Sequence, residues 1–293
     1  MVHAFLITAY KDVPRLVRLV RALGPEAHVY IHLDRRSRVP RADLDALLAE
    51  ENVNALSRRY RVRWGSSAHL KAILHLARLA VEDGEAHYLH AISGSDHPLL
   101  APAELDARME ARRGKEFLEH FALPTHHWRD GGLDRIELYH PLDWIDVKRG
   151  NNRLWTNRLA RWQKALGIRR STRGLPPLYG GSTWWSLSRE CVAHLLDRLD
   201  REPRLLRRFA HTHCGEEVLV QTLVLDSPFA PNVVNDNLRY VDWRRRNGST
   251  PAVLDLDDLH AVLGSGKLFA RKLERPVSEP LLAELERRAG ALA

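Results

Sequence analysis

The run His211-Thr212-His213-Cys214-Gly215-Glu216-Glu217-Val218-Leu219-Val220-Gln221-Thr222-Leu223 poses the central question of this sequence. Its spacing predicts a loop that becomes a helix. Val218, Leu219, Thr222 and Leu223 recur at helical intervals and would face a core. Gly215 permits a tight entry, and Glu216 and Glu217 fall in the first turn, where unpaired N–H groups and the positive end of the helix dipole favour negative charge. The plain reading is that both carboxylates complement the helix start. The sharper one is that one of them faces a cleft as a general base.

The chain has 293 residues, of which 44% are hydrophobic, and a net charge of +8. That is ample for a buried core. No apolar run reaches the roughly 20 residues of a membrane span. The N-terminal Met1-Val2-His3-Ala4-Phe5-Leu6-Ile7-Thr8 reads as a strand and not as a signal peptide. Two cysteines, Cys191 and Cys214, imply no disulfide framework, and a cytoplasmic protein is the default expectation. The positive charge is mostly arginine, spread singly over helix faces as in Arg15, Arg18 and Arg21. Familiar nucleic-acid motifs and interleaved aromatics are missing, so no nucleic-acid partner is expected. A basic balance suits an anionic small ligand equally well.

Residues 3–9 read as a strand, and Asp12 caps a helix with Pro14 in its first turn and an apolar stripe of Val13, Leu16, Val17, Val20 and Leu23. Gly24-Pro25 ends it, and 28–33 form a second strand closing on Asp34. This strand–helix–strand unit opens an α/β fold with a parallel sheet. Ligands in such sheets sit at the carboxyl ends of strands, which places Thr8, Ala9, Tyr10 and Asp34 at a cleft rim. Asp34 reads equally well as a loop-start or capping residue. The Gly-rich dinucleotide and P-loop signatures are not found. Next come a helix at 42–50, a short strand at 52–57, a strand or turn at Arg61–Gly65, a helix from Ser66 and a strand at 86–92. That strand ends in Ser93-Gly94-Ser95-Asp96-His97-Pro98, a sharp turn. Its lone aspartate, with glycine two places earlier, is a poor set for a hard cation, and the loop reads as metal-free.

Lys115–Phe121 is expected to be a strand. The segment 123–175 is basic and bears His126, His127, Trp128, Trp144, Trp155 and Trp162, with a helix at about 153–166; such excursions either supply acceptor loops or dock by their tryptophans. Gly180-Gly181-Ser182 is a turn where backbone approaches something closely, a sugar or a bulge in a sheet. Ser188 caps another helix. Strands at 231–234, 238–242 and 252–255, a helix from Asp257 and a last helix at about 279–291 complete the chain. No boundary divides it, which predicts one domain over 1–293. His126, His127, His211 and His213 are read as structural or acceptor-contact residues and not as zinc ligands.

The ordered set Ile31-His32-Leu33-Asp34, Val62-Arg63-Trp64-Gly65, Tyr88–Pro98, Gly181–Glu190, Gly215-Glu216-Glu217, Leu238–Trp243 and Leu268-Phe269-Ala270-Arg271-Lys272 resembles the core-2/I-branching β-1,6-N-acetylglucosaminyltransferases and the related protein xylosyltransferases, in a short soluble bacterial form. The resemblance covers residues 4 to about 273. It implies a GT-A-like, Rossmann-like α/β domain with a mixed central sheet, whose donor half ends near 122 and whose acceptor and catalytic half runs over 123–293. It implies inverting transfer from a UDP-sugar, N-acetylglucosamine or xylose, to a saccharide, with no cofactor and no divalent metal. Glu217 would be the base and Glu216 its neighbour. Thr8, Tyr10, Asp34, Trp64, Ser95 and Asp96 fall on the donor side, with Lys272 on the diphosphate and one of Arg244, Arg245 or Arg246 beside it. Gly181, Ser182, Trp243, His127 and Trp128 fall on the acceptor side. A catalytically silent sugar-nucleotide or polysaccharide binder on the same fold is the alternative. The basic surface admits peripheral association with the inner face of a membrane, and the sequence is silent on oligomeric state.

Overall fold

The computed structural model describes residues 1–291. Its strands are β1 (His3–Ala9), β2 (His28–Leu33), β3 (Val53–Ser57), β4 (Tyr88–Ser93), β5 (His97–Pro98), β6 (Glu116–Leu118), β7 (Phe121–Ala122), β8 (Tyr179–Gly180), β9 (Trp185–Ser188), β10 (Val233–Val234), β11 (Arg239–Val241) and β12 (Phe269–Arg271). Seven of them form one mixed sheet in the order β10-β6-β9-β4-β1-β2-β3. β9 alone runs antiparallel, between β4 and β6. Two small sheets flank it, β11-β12-β5 and β7-β8.

β1 is central and buried on both faces, which is why it reads as an unbroken apolar run. Alternation along it divides the core. Ala4 and Leu6 face a cluster built with Leu70, Ile73 and Ala77 of the helix Ser67–Asp83, the helix Arg189–Arg201, and Leu219, Val220 and Leu223. Phe5 and Ile7 face the helix Val13–Ala22 together with Leu105, Met109 and Phe269. Asp12 accepts from Arg15 N at 3.3 Å, and Ser188 Oγ from Cys191 N at 3.1 Å, so both helix starts are capped as their residues predict. A third cluster beneath the last helix, Glu279–Ala291, takes in Leu254, Val262 and Leu273.

Several expectations need correction. Residues 252–255 join no ladder, though 252–254 are buried; Ala252 N donates to Asp242 O (2.8 Å) and Leu254 N to Lys272 O (2.9 Å), and Leu254 is covered by the last helix. The strand expected over Lys115–Phe121 is split. β6 ends at Leu118, and Phe121 pairs separately with Gly180. Arg61–Gly65 takes the turn of its two expected forms, whereas 231–234 begins as a 3₁₀ turn, Ala230–Asn232. The two cysteines are buried and free. No helix among the described residues is long and apolar enough to cross a membrane.

Histidines are built into the core. His90 Nδ1 meets Ser186 Oγ at 2.8 Å and its Nε2 meets His3 Nδ1 at 3.0 Å. Burial holds His90 and His97 well below their ordinary pKa, and His3 and His32 at about 4. The unfolded chain takes up these protons near pH 6.5, whereas the folded chain resists them. Stability is therefore full above about pH 6.5 and falls as pH drops below it. Tm should decline between about pH 6.5 and 5, above the carboxylate range, with net proton uptake on unfolding. A flat Tm across that window would contradict neutral buried imidazoles.

Candidate active site

The carboxyl ends of β1 and β4 open on a cleft of about 360 Å³, part of it open solvent, lined by Thr8 to Asp12, Arg15, Ser93 to Ser95, Leu273 and Glu274. Thr8, Tyr10 and Ser95 are thus brought together as expected from their strand-end positions. Arg15 is buried on the cleft floor; its Nη2 donates to Asp96 O at 2.8 Å, while its Nε and Nη1 have no partner. Desolvation lowers this guanidinium's pKa to about 10.

The two glutamates differ from the helix-start expectation. Gly215–Glu217 is a 3₁₀ turn, Val218 is non-helical, and the helix proper is Leu219–Leu225. The turn begins at Cys214, whose left-handed φ of 51° redirects the chain. Neither carboxylate serves the helix start; each has its own partner. Glu216 is buried, and its Oε1 lies 2.9 Å from His69 Nδ1. The same imidazole reaches Thr8 Oγ1 through Nε2 at 3.1 Å. This chain of contacts links the glutamate turn to the cleft at the end of β1. Glu217 is 28% exposed and its Oε2 accepts from Arg135 Nη1 at 2.6 Å. Desolvation raises its pKa above the usual carboxylate range, Arg135 opposes the rise, and Glu216 adds to it. Arg135 in turn lies 3.7 Å over the Trp128 ring.

Gly181 explains how the turn is held. Its N–H donates to Glu217 O at 2.9 Å, and a Cβ there would overlap the Glu119 carbonyl. The close approach read from the glycine pair is thus to protein backbone. Ser182 O accepts from Gln221 Nε2 at 2.6 Å, which ties the same loop to the following helix. Trp128 packs its ring edge where Cβ atoms on Gly132 and Gly180 would sit. It is a half-buried wall, whereas His127 is exposed beside Phe121 (ring centroids 5.1 Å apart).

The two aspartates expected on the donor side are placed away from open space. Asp34 is buried and its carboxylate is occupied by Arg36 N (2.9 Å), the Arg36 guanidinium and Val62 N. It holds a loop, in keeping with its loop-start reading. Asp96 is fully buried; it accepts from Ser93 N at 2.8 Å and lies 3.6 Å from Arg271. With no accessible surface it supports the cleft and does not line it, a correction to its donor-side placement. Trp64 is exposed, 5.1 Å from His213. His213 is half-buried and desolvation lowers its pKa to about 4, while His211 lies beside Tyr139 and Trp144. Among the described residues no group of three or more His, Cys, Asp or Glu side chains is arranged to hold a metal ion.

Of the basic residues, Lys272 Nζ pairs with Glu274 at 2.7 Å and lies 3.3 Å from Ser249 Oγ. Arg244 pairs with Asp242 at 2.9 Å, and Arg246 is shared among Asp242, Asp255 and Asp258. Arg245 is exposed beside the exposed Trp243 and has no ion pair among the described residues. Arg271 stacks 4.5 Å from the Trp184 ring; its Nη1 faces Asp96 at 3.6 Å in an ion pair without a hydrogen bond, and its Nε has no hydrogen-bond partner. Trp184 also meets His69, at 6.1 Å.

Sequence reasoning missed His69, Arg135, Arg15 and Arg271. His69 carried one signal: it lies four and seven places before Ile73 and Leu76 on an inward helix face, where a polar side chain needs a partner. Arg135 lies in a segment of weak periodicity and carried none.

The seven-stranded mixed sheet, with its cleft at the carboxyl ends of β1 and β4, is a GT-A-like α/β fold. The Core-2/I-Branching enzyme family model matches residues 3–261. The chain belongs to that family of glycosyltransferases. It is 28% identical over 249 residues to xylosyltransferase 2 of Canis lupus familiaris, covering 83% of this chain and 26% of that protein. It is 25% identical over 290 residues to xylosyltransferase 1 of Mus musculus (92% and 28%), and 25% identical over 305 residues to the Homo sapiens protein of that name (97% and 30%). The chain thus spans under a third of the length of these relatives.

Gly181→Ala should force the β8–β9 loop off Glu119 and move the Glu217 turn. Denaturant unfolding is expected to show a loss of about 1–3 kcal/mol, the usual cost of overpacking. An unchanged midpoint would mean that the loop is not seated as described.

Proposed function

We propose that this chain is an inverting glycosyltransferase that moves a sugar, N-acetylglucosamine or xylose, from a UDP-sugar to a hydroxyl of a saccharide acceptor, working in the cytoplasm without a resident metal. The observation that carries this reading is Glu217: an accessible carboxylate with a raised pKa, fixed by Gly181 and Arg135 and joined through Glu216 and His69 to the strand-end cleft. The acceptor hydroxyl gives its proton to Glu217 as its oxygen bonds to the anomeric carbon. The bond from that carbon to the diphosphate oxygen breaks, and UDP leaves from the opposite face. Negative charge grows on the diphosphate, where fixed cations stabilise it. Lys272 and Arg271 are assigned that role, with Arg245 the freest of the three arginines in the 244–246 turn. Trp243, His127 and Trp128 are assigned to the acceptor side, and Tyr10 and Ser95 to the nucleotide.

One observation favours the silent-binder alternative: Lys272, Arg244 and Arg246 already have carboxylate partners. Turnover separates the two. Glu217→Gln should lower transfer by roughly 10²–10⁴-fold, the usual contribution of a general base, while UDP affinity stays within about twofold. Activity should persist in EDTA. Near-normal turnover in that variant would end the assignment, and UDP binding without transfer to any saccharide in a broad panel would establish the alternative.

Because the raised pKa of Glu217 marks where it stops being a base, kcat/KM should fall on the acid side as pH drops through it. Arg135→Met removes the cation that opposes the rise. It should move the acid limb to higher pH, read from the pH profile of kcat/KM; an unmoved limb would detach Arg135 from the base.

A further inference from the structure

The helix Asn152–Ala165 buries only Gln163. That amide accepts from Tyr139 N (2.8 Å) and donates to Tyr139 O (3.0 Å), which fastens the helix to the body. Its outer side holds large apolar groups in water: Trp155 is 62% exposed and Trp162 66%, with Leu154 and Leu166 exposed as well. Trp155, Trp162 and Leu166 follow at intervals of seven and four, so they share one side of the helix. Arg158, three after Trp155 and four before Trp162, lies beside them, its guanidinium 5.4 Å from the Trp155 ring. The helix carries Arg153, Arg158, Arg161 and Lys164 and no acidic residue. Lys164 is bound to Asp130 at 2.9 Å. Arg153, Arg158 and Arg161 have no ion pair among the described residues.

We propose that this helix docks on an anionic lipid surface, with Trp155, Trp162 and Leu166 at the boundary of headgroups and acyl chains and Arg158 and Arg161 on lipid phosphates. Charge complementarity selects this occupant. A cationic helix with bare indoles suits an interface whose headgroups are anionic and where tryptophan is favoured. A saccharide would be met by hydrogen-bonding carboxylates and amides around an aromatic face. This side offers instead leucines, which a sugar does not use, and guanidinium groups without counter-ions. The 130–139 segment that Lys164 and Gln163 grip also carries Arg135, the partner of Glu217. Docking would therefore present the candidate site to acceptors held at the lipid surface. The inference goes beyond the transfer chemistry, and its test needs no turnover.

The full chain is mixed with vesicles of phosphatidylglycerol and phosphatidylcholine in equal parts, or of phosphatidylcholine alone, and co-sedimentation is measured. Binding to the anionic vesicles only is expected. The double variant Trp155→Ser/Trp162→Ser keeps the net charge and should lose about tenfold or more in partitioning, since binding scales with buried apolar area as well as charge. Arg158→Gln/Arg161→Gln should lose roughly fivefold per arginine. Both variants should keep the wild-type thermal midpoint, because neither pair is buried. Equal binding by the tryptophan variant would mean adsorption through the basic surface at large and would overturn the proposal. Absence of vesicle binding, with the tryptophan fluorescence instead changed by soluble oligosaccharides and unchanged in the double variant, would assign the face to a sugar.

Discussion

A carboxylate removed from water must be paired, and Glu216 is such a carboxylate. Its partner, His69, is on a different helix, and the imidazole's other nitrogen is spent on Thr8 at the end of the central strand. One buried ionisable group therefore sets the distance between three elements separated widely in sequence. Glu217, next in the chain, inherits that placement. Its backbone is pinned by Gly181 and its side chain by Arg135, so a group that sits in a short 3₁₀ turn is held from both sides. Rigidity of this kind is what a base needs if it is to meet a hydroxyl without reorganising.

The same logic runs through the cations. Arg246 is enclosed by three aspartates, and Arg239 is buried with its Nη2 on Ala91 O at 2.9 Å. Such groups shape the loops and are not available to a ligand. Arg15 and Arg271 differ in degree: each leaves both Nε and one Nη without a hydrogen bond, and Arg15 lines the cleft. A guanidinium donor left without a partner at the edge of a cleft is what an anionic ligand would complete. The positive charge of the chain is thus sorted into structural and available fractions by local pairing, which the net figure of +8 conceals.

The opening strand, helix and second strand were legible because a parallel core strand is apolar on both faces and the helix after it is strongly amphipathic. Thr8 and Tyr10 followed from position alone. The two-residue strands β5 and β8 were not legible, since so short a run carries no period. Residues 252–255 misled because burial under a helix leaves the same apolar trace as burial in a sheet. The glutamate pair looked like a helix start because glycine and apolar spacing are the same for a 3₁₀ turn leading into a helix. The pairing of His69 with Glu216 and of Arg135 with Glu217 was hidden because the partners lie 147 and 82 residues apart; contact at that range leaves no local pattern.

β9 comes from the second half of the chain yet lies between β4 and β6, both from the first half. The loop that carries Gly181 enters the sheet through that strand, so the seating of Glu217 depends on an insertion between strands that the first half cannot join to each other directly. A cut near residue 122 would leave a sheet with a vacant slot and a remainder in which β8, β9 and β10 have lost their partners. Exchange of halves between relatives, a tempting route to new sugar specificities, would have to preserve this interleaving: the graft boundary belongs to the sheet, not to the order of the residues.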